Sequence, residues 1–220
     1  MKQAKKLSVI LALTLVLSVF SVLFALPTSA AGWDGKTANV KWYVDGVAKS
    51  ATTFTVKTPA ELLGLSYLVG SADAALRPQN TDKGADLDKL YYDASGNLIL
   101  EGSTANAAGS LDFVTDAFEG KTVELGADID LAGAPGKEWR PIGGSKASFK
   151  GTFDGKNHTI KNLYLDSTKV TMSDRFISVG LFGYFNKATF KNVTLDQVTI
   201  MATGGNKGTT ADNKVTGTLM

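Results

Sequence analysis

A short internal repeat constrains the fold of this 220-residue chain more than any other feature of its sequence. Residues 159–165 read TIKNLYL and residues 189–195 read TFKNVTL, with identity at the Thr, Lys, Asn and final Leu positions. Residues 151–155 (GTFDG) have a looser echo in residues 180–184 (GLFGY). A repeat of about 30 residues is typical of a solenoid, in which each unit buries its apolar face against its neighbours.

The phase of the apolar residues inside the repeat predicts strands that turn corners. Ile160 and Leu163 are three positions apart, so they cannot both face inward on one straight strand. Asn162 lies between them, and asparagine tolerates the left-handed conformation that a corner needs. Residues 190–193 repeat the arrangement with Asn192 at the corner. Short strands joined by such bends predict a mainly β chain, built as a parallel β-helix rather than a sandwich.

The residues before the repeats, 32–110, predict an N-terminal cap region. Residues 40–44 alternate apolar and polar side chains and predict a short strand, and Phe54 with Val56 predicts the next. Thr58-Pro59-Ala60-Glu61 has the residues of an N-cap, a first helical position and a capping box. With leucines at helical spacing behind it, this motif predicts one amphipathic capping helix over residues 58–70.

An irregular insertion is predicted over residues 71–110. Two apolar runs flank Ser95-Gly96-Asn97, which predicts a hairpin. Residues 101–110 are small and polar, so we expect a loop there. From Thr122 onward the sequence consists of short apolar alternations separated by Gly, Asn and Asp, and no helix of useful length fits.

The first 31 residues predict a signal peptide. Three lysines precede a mostly apolar run over residues 7–26, and a proline and small residues suited to cleavage follow. A retained membrane anchor is the alternative, since the run approaches the length of a span. Removal of Lys2, Lys5 and Lys6 would leave 20 basic and 21 acidic side chains, so the formal charge of +2 would become −1. Such a balance does not indicate a nucleic-acid partner.

The composition excludes several kinds of site. The chain has no Cys and one His, His158, which removes disulfides, thiolate zinc sites, Cys nucleophiles and two-His metal sites. His158 would need a nucleophile and an orienting group to act as a general base, and the sequence has no nucleophile motif. A turn side chain that hydrogen-bonds locally is the simpler interpretation.

An ordered series of motifs runs from Trp139 to Val193. Its members are Trp139, Pro141, Gly143, Gly151, Phe153, Gly155, Ile160, Asn162, Leu163, Gly180, Leu181, Phe182, Gly183, Asn192 and Val193. This series resembles the GLUG-repeat family of bacterial surface proteins, and residues 54–69 and 118–131 resemble the segments that precede those repeats. The resemblance implies a right-handed parallel β-helix displayed on a cell surface. It assigns the repeats to residues 111–220, where we expect them to be incomplete at the C-terminal end.

Asp128 and Asp130 flank Ile129, so both should project from the strand face opposite Ile129 and Leu131. Two such carboxylates could bind calcium, or act as an acid/base pair on a polysaccharide. A solvated strand face, or carboxylates that accept backbone donors at a bend, is the alternative. The sequence therefore predicts no resident cofactor, with calcium at Asp128 and Asp130 as the one candidate.

Aromatic side chains are the other candidate ligand contacts. Trp139 and its neighbours Phe149 and Phe153 could form a sugar-stacking platform, although the resemblance implies that Phe149 and Phe153 are core residues. Trp42, Tyr164 and Tyr184 are the better candidates for exposed contacts with a ligand.

These observations together predict an exported module at the cell surface with a non-catalytic adhesion, binding or display role. Surface glycans or host proteins are the expected partners, together with further repeats or domains of a longer chain. We expect no nucleic-acid partner, and no membrane span after signal cleavage. Two alternatives remain: a polysaccharide lyase or hydrolase that uses face carboxylates, and a structural spacer for a catalytic domain such as a surface peptidase.

Overall fold

Short strands that pair in parallel make up most of the structure, which is a computed structural model. It describes residues 32–70, 79–80, 86, 89–112, 116–144, 147–169, 179–201, 203–204 and 213–214. All of these residues belong to one compact unit that begins at Gly32. The predicted signal peptide, residues 1–31, and much of the predicted insertion lie outside the described residues.

Two helices are described, α1 (Lys41–Val47) and α2 (Pro59–Gly70). The prediction of a strand over residues 40–44 is wrong, and so is the prediction of a single helix. Val40 and Val44 share one face of a helix as readily as one face of a strand, because four residues satisfy both periods. Asn39 favours the helix: its side chain accepts the Lys41 N–H at 2.9 Å, and its carbonyl accepts the Trp42 indole N–H at 3.0 Å.

The α2 prediction is confirmed in its position and its cap. The Glu61 N–H donates to Thr58 Oγ1 at 3.2 Å and the Thr58 N–H donates to Glu61 Oε2 at 3.0 Å, as a capping box requires. The expected amphipathic face is wrong, because both sides of α2 are covered. Ser66 Oγ donates to the Pro141 carbonyl at 2.9 Å, and on the other side a Cβ at Gly64 would clash with the Asn39 carbonyl.

The strands are short, and the longest have four residues. The first strands along the chain are β1 (Thr53–Val56), β2 (Gln79–Asn80), β3 (Lys89–Tyr92), β4 (Glu101–Gly102) and β5 (Gly109–Asp112). The next strands are β6 (Thr122–Leu125), β7 (Ile129–Asp130), β8 (Thr152–Asp154), β9 (Thr159–Lys161) and β10 (Tyr164–Asp166). The last are β11 (Thr189–Lys191), β12 (Thr194–Asp196), β13 (Thr199–Met201), β14 (Thr203–Gly204) and β15 (Asn213–Lys214).

Besides the two-stranded parallel sheet β2-β4, three sheets are built entirely from parallel pairs. The first has the order β1-β6-β8-β11, the second β7-β9-β12 and the third β10-β13. Consecutive strands therefore belong to different sheets, and each strand pairs with its counterpart one layer later along the chain. We refer to β8–β10 as the second layer and to β11–β13 as the last layer. The prediction of a mainly β chain is confirmed, with parallel sheets.

The register of these layers differs from the repeat seen in the sequence. The 30-residue repeat would pair Thr159 with Thr189. Instead, Thr159 pairs with Thr194 and Thr189 pairs with Thr152. The weaker match between residues 151–155 and 180–184 does not give the pairing either, because Phe182 forms a β-bridge with Ile142 and not with Phe153. Within the last layer Thr189, Thr194 and Thr199 each open a strand five residues after the one before. A unit that recurs every five residues offers several alignments with the layer before it, and β9 and β12 pair at an offset of 35 residues rather than at the 30 that sequence identity favours.

The corners predicted at Asn162 and Asn192 are present, with φ values of 56° and 54° in the left-handed region. Gln197, with a φ of 53°, has the same conformation. Ile160 and Leu163 on either side of the first corner are 0% and 1% exposed, so both face the core. The core continues through the earlier layers with Val123, Leu125, Ile129, Leu131, Phe149, Phe153 and Leu165, all at most 1% exposed.

The insertion contains more strand than predicted. A tight turn at residues 93–97 is confirmed by the Gly96 N–H donating to Asp93 and the Asp93 N–H donating to Asn97, each at 2.9 Å. The loop predicted over residues 101–110 is wrong in part, since β4 pairs with β2 and β5 pairs antiparallel with β3. Neither described helix has the length and hydrophobicity of a membrane span.

Candidate functional site

The predicted carboxylates Asp128 and Asp130 project to solvent while Ile129 and Leu131 are buried, as expected. Both carboxylates are engaged by the next layer. Asp128 Oδ1 accepts the Thr159 N–H at 2.9 Å and lies 3.1 Å from Nδ1 of His158. These donors, the Thr159 N–H first, lower the pKa of Asp128.

Asp130 is held by three donors. Its Oδ1 accepts the Asn162 side-chain amide at 2.7 Å and the Ala132 N–H at 2.9 Å, and its Oδ2 lies 3.4 Å from Lys161 Nζ. Burial acts to raise the pKa of Asp130, but these hydrogen bonds outweigh burial and lower it. Asn162 therefore forms a corner with its backbone and connects two layers with its side chain.

His158 also connects layers, since its partner Asp128 precedes it by 30 residues. The interpretation of His158 as a side chain with a local hydrogen bond is wrong in this respect. Its side chain is 35% exposed and that of Asp128 is 71% exposed. In the part of the chain that the structure describes, no group of three or more His, Asp or Glu residues is arranged to hold a metal ion.

Asp154 is the most strongly engaged of these carboxylates, and sequence reasoning missed it. It is 7% exposed, and its Oδ1 accepts the Lys156 N–H at 2.9 Å and the Asn192 amide at 3.1 Å. Its Oδ2 lies 3.2 Å from Lys191 Nζ. The Lys156 N–H first, then Asn192 and Lys191, lower the pKa of Asp154 to about 2. Gly155 beside it is required, because a Cβ there would clash with the Asn192 carbonyl.

A signal for Asp154 was present in the sequence. Asp154 is the last residue of β8, as Asp130 is of β7, and a carboxylate at that position can accept from the corner asparagine of the next layer. The signal was hidden by the register, because the partner residues Lys191 and Asn192 were aligned with residues 161 and 162 instead.

The aromatic candidates are divided between the core and its rim. Trp139 is 1% exposed and its indole N–H donates to the Leu181 carbonyl at 3.1 Å, so the sugar platform proposed for it is wrong. Phe149 and Phe153 are core residues, as predicted. Trp42 is half-buried against the rings of Phe54 and Phe118, at centroid distances of 5.8 and 6.2 Å.

Tyr164 and Tyr184 are half-buried as well. Burial first, then the nearby charges of Asp166 and Glu138, raises the pKa of Tyr164. Tyr184 contributes its carbonyl, which accepts the Phe149 N–H at 3.0 Å. The structure does not bring Trp42, Tyr164 and Tyr184 together in a described contact.

The residues of the repeat motif are structural in the places where the structure describes their contacts. The Gly183 N–H donates to Ile142 at 2.8 Å, and Leu181 is 6% exposed in the core. A Cβ would clash with backbone carbonyls at Gly143 and Gly151. Phe182 packs between Phe149, Phe153 and Phe190, with centroid distances of 4.6–5.3 Å.

One exposed apolar surface lies on the last layer. Phe190 is 37% exposed although its register partner Phe153 is fully buried, and Phe185 beside it is 59% exposed. Val198 is 37% exposed, and Val193, Leu195 and Ile200 are half-buried. We call this surface the end face, formed by Phe185, Phe190, Val193, Leu195, Val198 and Ile200.

The chain matches no protein-family model, no curated protein and no solved structure.

Proposed function

We propose that this chain is an exported parallel β-helix module of the GLUG-repeat kind, with a binding or display role at the cell surface rather than a catalytic one. The observation that carries the proposal is that the carboxylates beside the strands hold the layers together. Asp128, Asp130 and Asp154 each accept hydrogen bonds from the next layer, so their charge stabilises the stack. These hydrogen bonds lower the pKa of all three carboxylates, so at neutral pH each has no proton to donate and is a weak base.

The sheet pattern supports the β-helix part of the proposal. Consecutive strands enter three different parallel sheets, and left-handed corners separate them. Helix α2 follows β1, which is the terminal strand of its sheet, and the leucines of α2 are buried. A helix in this position fits the role of an N-terminal cap that covers the apolar end of a stack.

Export is tested by the N-terminus of the protein. Expression of the full chain in a bacterial host should yield protein outside the cytoplasm whose first residue lies between Ala30 and Gly32, measured by intact mass and N-terminal sequencing. Full-length protein retained in the membrane, with Met1 still present, would contradict the predicted cleavage.

The non-catalytic role is tested with the face carboxylates. Incubation of the protein with acidic polysaccharides should leave their chain length unchanged, both for the natural chain and for an Asp128→Asn/Asp130→Asn variant. Chain shortening by the natural protein that disappears in this variant would establish the enzymatic alternative instead. Circular dichroism of the variant would verify that it remains folded.

A further inference from the structure

The end face exposes apolar side chains at positions whose counterparts in the second layer are buried in the core. Each inward residue of the last layer has a buried counterpart in the second layer: Phe190 pairs with Phe153, Leu195 with Ile160 and Ile200 with Leu165. The three counterparts are fully buried. Among the described residues, no further layer covers the last one as the last covers the second.

The backbone of the last layer is open at the same place. Thr189 donates its N–H to Gly151 at 3.0 Å, and the carbonyl of Lys191 accepts the Gly155 N–H at 2.8 Å. Alternate residues of a parallel strand turn both backbone groups toward the same neighbour. Phe190, between them, therefore turns its N–H and its carbonyl toward the outer edge of β11, where no described strand pairs with it.

The other two strands repeat this pattern. In β12, Thr194 and Asp196 bond to the second layer, which leaves the backbone groups of Leu195 at the open edge. In β13, Thr199 and Met201 bond to the second layer, which leaves those of Ile200. Three open backbone positions thus coincide with the three inward apolar residues. Open strand edges of this kind are templates for pairing with another chain.

We propose that the end face is a dimer interface that binds the end face of a second copy of this chain. A two-fold axis through the middle of β11 would place β11 antiparallel to β11 of the second copy, and β12 antiparallel to β13 of the second copy. Phe190 then lies opposite Phe190, and Leu195 lies opposite Ile200. These are the residues with open backbone groups, so each opposed pair exchanges two hydrogen bonds.

The sequence of the last layer fits this self-pairing. Its three strands have equal length and begin five residues apart. When one copy is inverted on the other, β11 therefore lies along β11 and β12 lies along β13 without an offset. The flanking positions bring Lys191 opposite Thr189 and Asp196 opposite Thr199, so like charges do not meet. Opposed like charges on neighbouring strands would destabilise such a pair.

The mass of the protein in solution tests the interface. Sedimentation velocity of the protein in its natural processed form should give a dimer that dissociates on dilution. Val198→Lys places a charge in the end face and should reduce the species to a monomer. Val47→Lys is the matched control, since Val47 is 47% exposed on α1 and lies outside the end face, and it should leave the dimer intact. Circular dichroism should show both variants folded.

Cysteine cross-linking tests the register of the pair. The chain has no Cys, so a single introduced thiol can pair only with its copy. Phe190→Cys should form an intermolecular disulfide under mild oxidation, because opposed residues that exchange two bonds have Cα atoms about 5.5 Å apart. Leu195→Cys should not, because its opposite is Ile200. If Phe190→Cys does not fold, an equimolar mixture of Thr189→Cys and Lys191→Cys, both exposed positions, should cross-link in its place.

A monomer at every concentration would overturn the proposal, and so would a dimer that Val198→Lys leaves unchanged. Cross-linking of Leu195→Cys at the rate of Phe190→Cys would show a different register and would also overturn it. None of these outcomes depends on export or on the absence of catalysis, so the interface and the proposed function can fail separately.

Discussion

Asp154 shows how single carboxylates stabilise this molecule. Lys156, Asn192 and Lys191 all direct donors at it, and they come from its own layer and from the last one. One layer earlier, Asp130 accepts a hydrogen bond from Asn162 and Asp128 accepts one from Thr159 in the same way. Acids beside the corners therefore add side-chain contacts between layers to the backbone pairing and the apolar core.

Acid should weaken the fold through these carboxylates. The folded pKa of Asp154 is about 2, against 3.8 for an ordinary Asp, so its contribution to stability is present above about pH 4. It is lost as the pH falls through the folded value, because protonation then favours the unfolded chain. We expect the free energy of unfolding to decrease between about pH 4 and pH 2, measured by urea denaturation.

The Asp154→Asn variant measures how much of this acid sensitivity comes from Asp154. It should be less stable than the natural chain at neutral pH and should show a smaller loss of stability between about pH 4 and pH 2. A variant whose acid profile matches that of the natural protein would contradict the role given to Asp154.

Asn162 should be sensitive to its backbone conformation. With φ at 56°, alanine at this position would cost about 1 kcal/mol more than glycine, because a Cβ is strained in the left-handed region. Both variants lose the hydrogen bond to Asp130. Asn186 is the control, because it is exposed and its φ is not positive. At this position Asn186→Ala should be more stable than Asn186→Gly, the reverse of the order at Asn162. Thermal denaturation of the alanine and glycine variants at both positions would check these orders.

Helix α2 is the element that the sequence specified most completely. Its capping box and leucine spacing predicted both its start and its length, because the signal is local. Whether one or two sides of α2 are covered depends on Asn39 and Pro141, which are distant in sequence, so the amphipathic prediction failed. Helix α1 failed for a related reason: Val40 and Val44 fit either period, and the Asn39 side chain that starts the helix carries little sequence signal.

Loss of the cap should destabilise α2 by a measurable amount. Thr58→Ala removes the acceptor for the Glu61 N–H and should lower the free energy of unfolding by about 1 kcal/mol. Thr58→Ser keeps the hydroxyl and should retain most of the stability. Equal losses in both variants, measured by urea denaturation, would show that the hydroxyl is not what stabilises the helix start.

At the scale of the whole molecule, the sequence predicted parallel strands and corners but not their pairing. The corners at Asn162 and Asn192 follow from three-residue spacings between apolar side chains, which a single sequence displays. The register between layers is shifted by five residues from the alignment with the most identities, so sequence identity favours the wrong pairing. The candidate site depended on that choice, because the partners of Asp154 become visible only when Thr189 is aligned with Thr152.

The central structural claim is that the layers pair in the register described, and cross-linking within one chain tests it most directly. Thr159 and Thr194 are paired across parallel strands, whose Cα atoms are about 4.8 Å apart, within the span of a disulfide. Thr159→Cys/Thr194→Cys should therefore form an intramolecular disulfide readily under mild oxidation. Thr159→Cys/Thr189→Cys, the pair that the 30-residue repeat would place together, should not. Faster cross-linking of the second pair would contradict the layered structure on which the proposals depend.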